Sequence, residues 1–142
     1  MATPIDPAIQ RLLDDWLAAV QAGDVEAIVS HYADDLVAFD ASAQLQFVGR
    51  EAYAAHWRRC LAACEHTRFE RHQLAVEQGG DIAFGHYLAY CGGRDEQGRE
   101  QAAWTRASVG LRRVAGRWMI VHEHFSLPFD MHTLQPLLDA QP

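Results

Sequence analysis

The sequence contains no lysine. All 12 of its basic residues are arginine, set against 19 acidic side chains for a formal net charge of −7. That absence excludes a Schiff-base lysine, a phosphate-loop lysine and pyridoxal chemistry anchored on this chain. No basic run relieves the acidic balance, so neither nucleic acid nor an anionic membrane surface is expected as a partner. Long apolar runs are missing as well: no window approaches the roughly 18 residues that would suggest a membrane span. The opening MATPIDPAIQ lacks the basic start and apolar stretch of a secretory leader. The chain is therefore expected to be soluble, unsecreted and cytoplasmic. Cysteine is scarce, with Cys60, Cys64 and Cys91 in no C-x-x-C spacing. An odd number so placed supports neither a disulfide framework nor a zinc ribbon, and free, mostly buried thiols are expected.

What is present is enough for one core. Apolar residues make up 49% of the 142 positions and aromatics 10%, with no linker, repeat or low-complexity segment dividing them. A single domain over residues 1–142, ending in a tail at 127–142, is the economical reading. Asp6 before Pro7 is a helix start, and Ile9, Leu12, Leu13, Trp16, Leu17 and Val20 recur at helical spacing until Gly23. Asp24 caps a shorter helix with Val25, Ile28 and Val29, which runs into His31, Tyr32 and an Ala-Asp-Asp turn. Short strands are expected at 36–40 and 44–48, and a third helix after Gly49 with Tyr53, Trp57, Cys60, Leu61 and Cys64 on one stripe. After Glu65 the pattern becomes period-two, giving strands at 68–78, 82–92, 101–113 and 117–126 joined by Gly-rich hairpin links. The tail reads as loop plus a short helical turn. Helices first and an antiparallel meander afterwards imply an α+β fold: a curved antiparallel or mixed sheet, cone-shaped, closed by three N-terminal helices around a pocket for a small molecule.

The run from Trp16 to Asp40, WLAAVQAGDVEAIVSHYADDLVAFD, resembles the opening of ketosteroid isomerases and of the polyketide-cyclase-like SnoaL group. The closing run GRWMIVHEHFS (Gly116 to Ser126) resembles the last strand of SnoaL-like domains, and its V-H-x-H-x-S part is also similar to the association domain of calcium/calmodulin-dependent protein kinase. The resemblance implies the cone-shaped fold of the nuclear transport factor 2-like superfamily. It also implies a homodimer formed through the outer face of the sheet. The scaffold hosts isomerases, cyclases, dehydratases and non-catalytic modules, so the likeness names no single activity. In ketosteroid isomerases the base is an aspartate five residues beyond an Ala-Asp-Asp turn, and Asp40 stands five after Asp35. The helix tyrosine of those enzymes is replaced by Trp16. Ser108 falls near the place of their second aspartate, with Arg106 two residues before it. The base is kept and its electrophilic partners are not, so 3-oxosteroid isomerisation is not expected.

Asp40 is thus the leading catalytic candidate: a carboxylate ending an apolar strand would face a partly desolvated pocket and could abstract a proton. The bland alternative is a turn aspartate bonded to nearby backbone. Arg106 shares a strand face with Trp104, Ser108 and Gly110; if that face lines the pocket, the guanidinium could hold a carboxylate or polarised carbonyl. An edge arginine facing solvent is the competing reading. His122 and His124 share a face of the last strand with Glu123 opposite, and His124 is the third catalytic candidate. The comparison anchored on Gly116 instead turns Val121, Glu123 and Phe125 inward, so which face is inside stays open. Two histidines on a strand could pair with His31, His56 or His86, but no third metal ligand is set by sequence, and neither metal nor cofactor is expected. Tyr32, Tyr53, His56 and Trp57, with Trp16, Trp104, Ser108 and His122, complete the expected pocket wall. The expected function is binding of a small, mostly apolar organic molecule, with isomerase-, cyclase- or dehydratase-type proton transfer on Asp40. The alternative is a non-catalytic ligand-binding or dimerisation module.

Overall fold

Helix α1 (Pro7–Ala22) begins where Asp6 accepts the Ala8 N–H at 2.9 Å and ends at Gly23, whose φ of 67° is the left-handed conformation glycine adopts at no steric cost. The same Asp6 carboxylate accepts the Trp118 indole N–H at 2.9 Å, tying the start of the chain to its last strand. Asp24 caps α2 (Val25–Val29) through the Ala27 N–H. The computed structural model describes residues 4–64 and 66–142; residues 1–3 of the opening, and Glu65 at the change of pattern, lie outside the described residues. Among the described residues no helix is long and apolar enough to cross a membrane.

The remaining elements are β1 (Tyr32–Phe39), β2 (Phe47–Val48), α3 (Arg50–Ala62), β3 (Arg68–Gly79), β4 (Ile82–Arg94), β5 (Glu100–Val114) and β6 (Arg117–Ser126). They form one six-stranded mixed sheet in the order β2-β1-β6-β5-β4-β3, curved but open at both edges. All pairs are antiparallel except β1 with β6. Three irregularities bend it. The Ala-Asp-Asp segment is not a turn after a helix, as its sequence suggests, but a bulged stretch within β1, where Asp34 and Asp35 are both exposed. Gln73, at φ 58°, interrupts β3 between His72 and Ala75. In β6, Gly110 faces His122 while the next residue, Leu111, faces Ile120, so Val121 is the extra residue of a bulge.

The three helices cover the concave face. Ile9, Leu12, Leu13, Trp16 and Val20 of α1 pack with Ile28 of α2, Tyr53 of α3, and Leu36, Val109, Leu111 and Ile120 of the sheet. Full burial of each such aliphatic side chain is worth about 1.5–3 kcal/mol, which is what holds the helix layer to the sheet. The second expected strand, 44–48, is reduced to Phe47–Val48, because residues 41–45 bend and Ala43 adopts φ 75°. The tail is loop with a single helical turn, in which the Leu134 N–H donates to the Asp130 carbonyl at 2.8 Å. An isolated bridge between Phe129 and Pro136 closes a loop around Asp130, whose carboxylate accepts the N–H groups of His132 and Thr133.

Candidate active site

Asp40 follows the last residue of β1, Phe39, and precedes the 41–45 bend. The Asp40 side chain is 21% exposed, and its two oxygens are held by three donors. Oδ1 accepts the Ala41 N–H at 2.6 Å; Oδ2 accepts the Tyr53 hydroxyl at 3.3 Å and pairs with His56 Nε2 at 3.0 Å. Both sequence readings of Asp40 hold at once: it caps local backbone and it faces a cavity. Tyr53 and His56 reach it because they lie three apart on α3, on the buried stripe of that helix. His56 is wedged between Phe47, with ring centroids 4.3 Å apart, and Tyr53, at 5.9 Å and nearly parallel.

Asp40 lies on the wall of a cavity of about 240 Å³, together with Trp57, Leu61, Phe69, Phe125, Thr105 and the three cysteines. The cysteines are free, as expected, but half-buried rather than mostly buried. Burial raises the thiol pKa of Cys60, and the Asp40 charge adds to it; the Cys91 thiol is raised in the same way, so both stay protonated. Cys60 Sγ lies 3.5 Å from His56 Nε2 and 3.9 Å from Nδ1. Because Asp40 also sits on Nε2, the thiol and the carboxylate are not relayed across the imidazole, and no cysteine–histidine–aspartate triad forms. Asp40, Ala41 and Phe125 also border an open groove of about 830 Å³ between the 41–46 segment and the tail loop, so the two hollows share these three residues.

Behind the cavity wall is a buried acid. Glu123 is 2% exposed, and burial pushes its carboxyl pKa up from 4.5 to about 8; the hydrogen bond from Tyr32 acts against this, and the nearby Asp40 charge adds to it. Tyr32 donates to Glu123 Oε2 at 2.8 Å and accepts the indole N–H groups of Trp16 at 3.0 Å and Trp57 at 3.1 Å. That hydroxyl is fully engaged. Trp57 therefore belongs to both places, its ring on the cavity and its N–H in the buried network.

Of the expected site residues, Asp40 and Trp57 line the cavity, whereas Trp16, Tyr32, Tyr53 and His56, expected on its wall, are buried behind it and bond one another, Glu123 or Asp40. The other five lie elsewhere. On β5 the buried side chains are Thr105, Ala107, Val109 and Leu111, so Trp104, Arg106 and Ser108 stand on the outer face. Arg106 donates to Ser126 at 3.1 Å, and Trp104 packs on His72 and Tyr90. On β6 the bulge at Val121 sends Glu123 and Phe125 inward and His122 and His124 outward, which settles the open question against the histidines. His122 lies 2.6 Å from the Val37 carbonyl, and both rings pack edge-on against Phe39. His124 reaches only the outer groove. Among the described residues no group of three or more histidine, cysteine or acidic side chains could hold a metal ion.

The wall residues missing from the sequence reading are Thr105, Phe69 and the cysteines; Phe125 and, behind the wall, Glu123 face inward as the comparison anchored on Gly116 has them. Apolar parity was the signal for the β5 face, since Ala107, Val109 and Leu111 share the phase of Thr105. No local pattern marks the cysteines as cavity-lining.

Comparison with known proteins agrees with this architecture. Residues 9–130 match the family described as the SnoaL-like domain. The chain is similar to a crystal structure of an NTF2-like protein of unknown function from Pseudomonas putida, with 45% identity, 96% of this chain and 95% of that one covered, and a TM-score of 0.88. A ketosteroid isomerase-like protein from Erwinia carotovora shares the fold at 20% identity, with 84% of this chain and 93% of that one covered and a TM-score of 0.72. With the family match running from the first helix into the tail, this chain belongs to the SnoaL-like domain family and has the NTF2-like fold.

Proposed function

We propose that the cavity binds a small, mostly apolar organic molecule whose one polar group meets Asp40, and that Asp40 serves as a base toward an acidic C–H or O–H of that molecule. The observation that carries this is the carboxylate of Asp40 on the wall of a mostly apolar 240 Å³ chamber, fixed in place by Tyr53 and His56. A base needs such fixing, because effective proton abstraction depends on a set position more than on strength alone. The three cysteines give a direct readout of occupancy. A molecule seated in the chamber shields Cys60, Cys64 and Cys91 from a thiol reagent and raises the melting temperature. Failure of a panel of small aromatic and alicyclic compounds to do either would remove the ligand reading. For the base role, Asp40→Asn should keep ligand protection but lose solvent-deuterium exchange into the bound ligand; unchanged exchange would exclude Asp40.

A second reading, binding without turnover, is favoured by one further observation. The strong donors near Asp40 are already engaged: Tyr32 with Glu123, Tyr53 with Asp40 itself, and the Trp57 N–H with Tyr32. Arg106 lies on the other face. A developing oxyanion would thus find neither a phenol nor an indole N–H free to receive it among the described wall side chains, and this reading predicts thermal stabilisation by ligand with no exchange or turnover.

We also propose that a second copy of the chain covers the outer sheet face. Phe39, Ile82 and Phe84 are exposed there, and the face carries both Glu77 on β3 and the unpaired Arg106 on β5, the two signs a self-complementary surface requires. Sedimentation of wild type against Phe84→Glu checks this: a dimer dissociated by the variant is expected, and a monomeric wild type would exclude it.

A further inference from the structure

We propose that the chamber selects an organic ammonium: a small aromatic or alicyclic body carrying a protonated amine that pairs with Asp40. This rests on the chamber being a ligand site and names the chemistry of the ligand's polar end.

The charges around the chamber all point one way. Asp40 is the carboxylate on its wall. The one arginine at the rim, Arg68, is already neutralised: its guanidinium pairs with both Glu70 and Glu100 and lies 4.6 Å above the centre of the Tyr90 ring. Glu123 behind the wall is held in its neutral form at pH 7. The Cys60 and Cys91 thiols are kept protonated by burial. The other groups facing Asp40 are the Tyr53 hydroxyl, the His56 imidazole and the Ala41 N–H. No free cation faces the chamber among the described residues, so an anionic ligand would be buried unpaired beside a carboxylate, at a heavy desolvation cost.

Asp40 also has room for one more donor. A carboxylate offers about four acceptor positions. Here Oδ2 takes Tyr53 and His56, while Oδ1 takes only Ala41. An ammonium N–H directed at Oδ1 completes the set with a charge-assisted bond. The rings of Trp57, Phe69 and Phe125 line the same chamber and offer their faces to the remaining charge and to the attached carbons. The chain's net charge of −7 works in the same direction by drawing cations to its surface.

The test is a matched series of one shape and three charges: phenethylamine, phenethyl alcohol and phenylacetate. Each is titrated by calorimetry into the full-length protein at about pH 7.5, where the amine is protonated and the acid ionised. The expected order is amine tightest, by about ten-fold or more over both others, a gap of roughly 1.4 kcal/mol. In Asp40→Asn the amine should fall to the level of the alcohol, and the alcohol should bind as before. The wild-type order decides the matter even if that variant does not fold. Alcohol or phenylacetate binding as tightly as the amine would overturn the ammonium assignment and leave the ligand site standing. Binding of none of the three, with no thiol protection, would overturn both.

Discussion

The Tyr32 hydroxyl stands 2.8 Å from Oε2 of Glu123, joining the start of β1 to the middle of β6 across 91 residues of sequence. Neither group sees water. One donates, the other is a buried acid, and the two tryptophan N–H groups behind them leave the hydroxyl no spare valence.

Tyr32→Phe would remove that hydroxyl and keep the ring. Two indole N–H groups and a carboxyl would then be buried without this partner, each at about 1–3 kcal/mol. A loss of roughly 3 kcal/mol or more in urea unfolding is expected. A change below about 1 kcal/mol would show that water replaces the hydroxyl.

Glu123 sets a pH dependence whose sign follows from its environment. In the fold its carboxyl keeps a proton up to about pH 8, whereas in the unfolded chain it ionises near 4.5. Between those values the folded state holds the extra proton, so stability is greatest at the acid end of the window and falls as pH rises toward 8. The slope from this one group is at most about 1.4 kcal/mol per pH unit. Glu123→Gln, which cannot ionise, should flatten the profile of melting temperature against pH across that window. An unchanged profile would mean that Glu123 is ionised in the fold.

Gly92 faces Ala102 where β4 meets β5, and a Cβ added there would lie 1.8 Å from the Gln101 carbonyl oxygen. That neighbour is backbone and can yield only by opening the ladder. Gly92→Ala should therefore cost several kcal/mol, roughly 3 or more, while Gly79→Ala, with nothing near its added carbon, should cost under about 1. Equal melting temperatures for the two variants would contradict the close strand approach.

Arg106 provides a negative control with direct bearing on the site. Because it stands on the outer face and bonds Ser126, Arg106→Ala should leave ligand protection of the three cysteines unchanged within about two-fold. A larger loss would place the guanidinium in the binding event.

Much of this architecture is legible along the chain. The Asp6–Pro7 start, the Gly23 stop and the four long strands follow local rules of capping and alternation. Asp40 stands out because it ends an apolar strand, and the structure gives it the expected setting. What is not legible depends on breaks in alternation. Trp118 and Ile120 point inward, so strict period two would carry His122 and His124 inward after them. Val121 adds one residue and reverses the phase. Tyr32 looked like the end of a helix because the bulged Ala-Asp-Asp segment hides the start of β1. The cysteines converge only in three dimensions, Cys60 from α3, Cys64 from just beyond it and Cys91 from β4.

Val121 has a consequence for how this scaffold can change its chemistry. Removing that single position would restore strict alternation and leave Glu123 and Phe125 facing inward, because His122 would take the outward place after Ile120. Drawing Val121 into the ladder as an ordinary residue would instead exchange a carboxyl and a phenyl for two imidazoles on the inner face. The acid–base character of the interior thus hangs on whether one valine is looped out or paired, and a lineage could alter it by losing the bulge without substituting any residue that faces the interior.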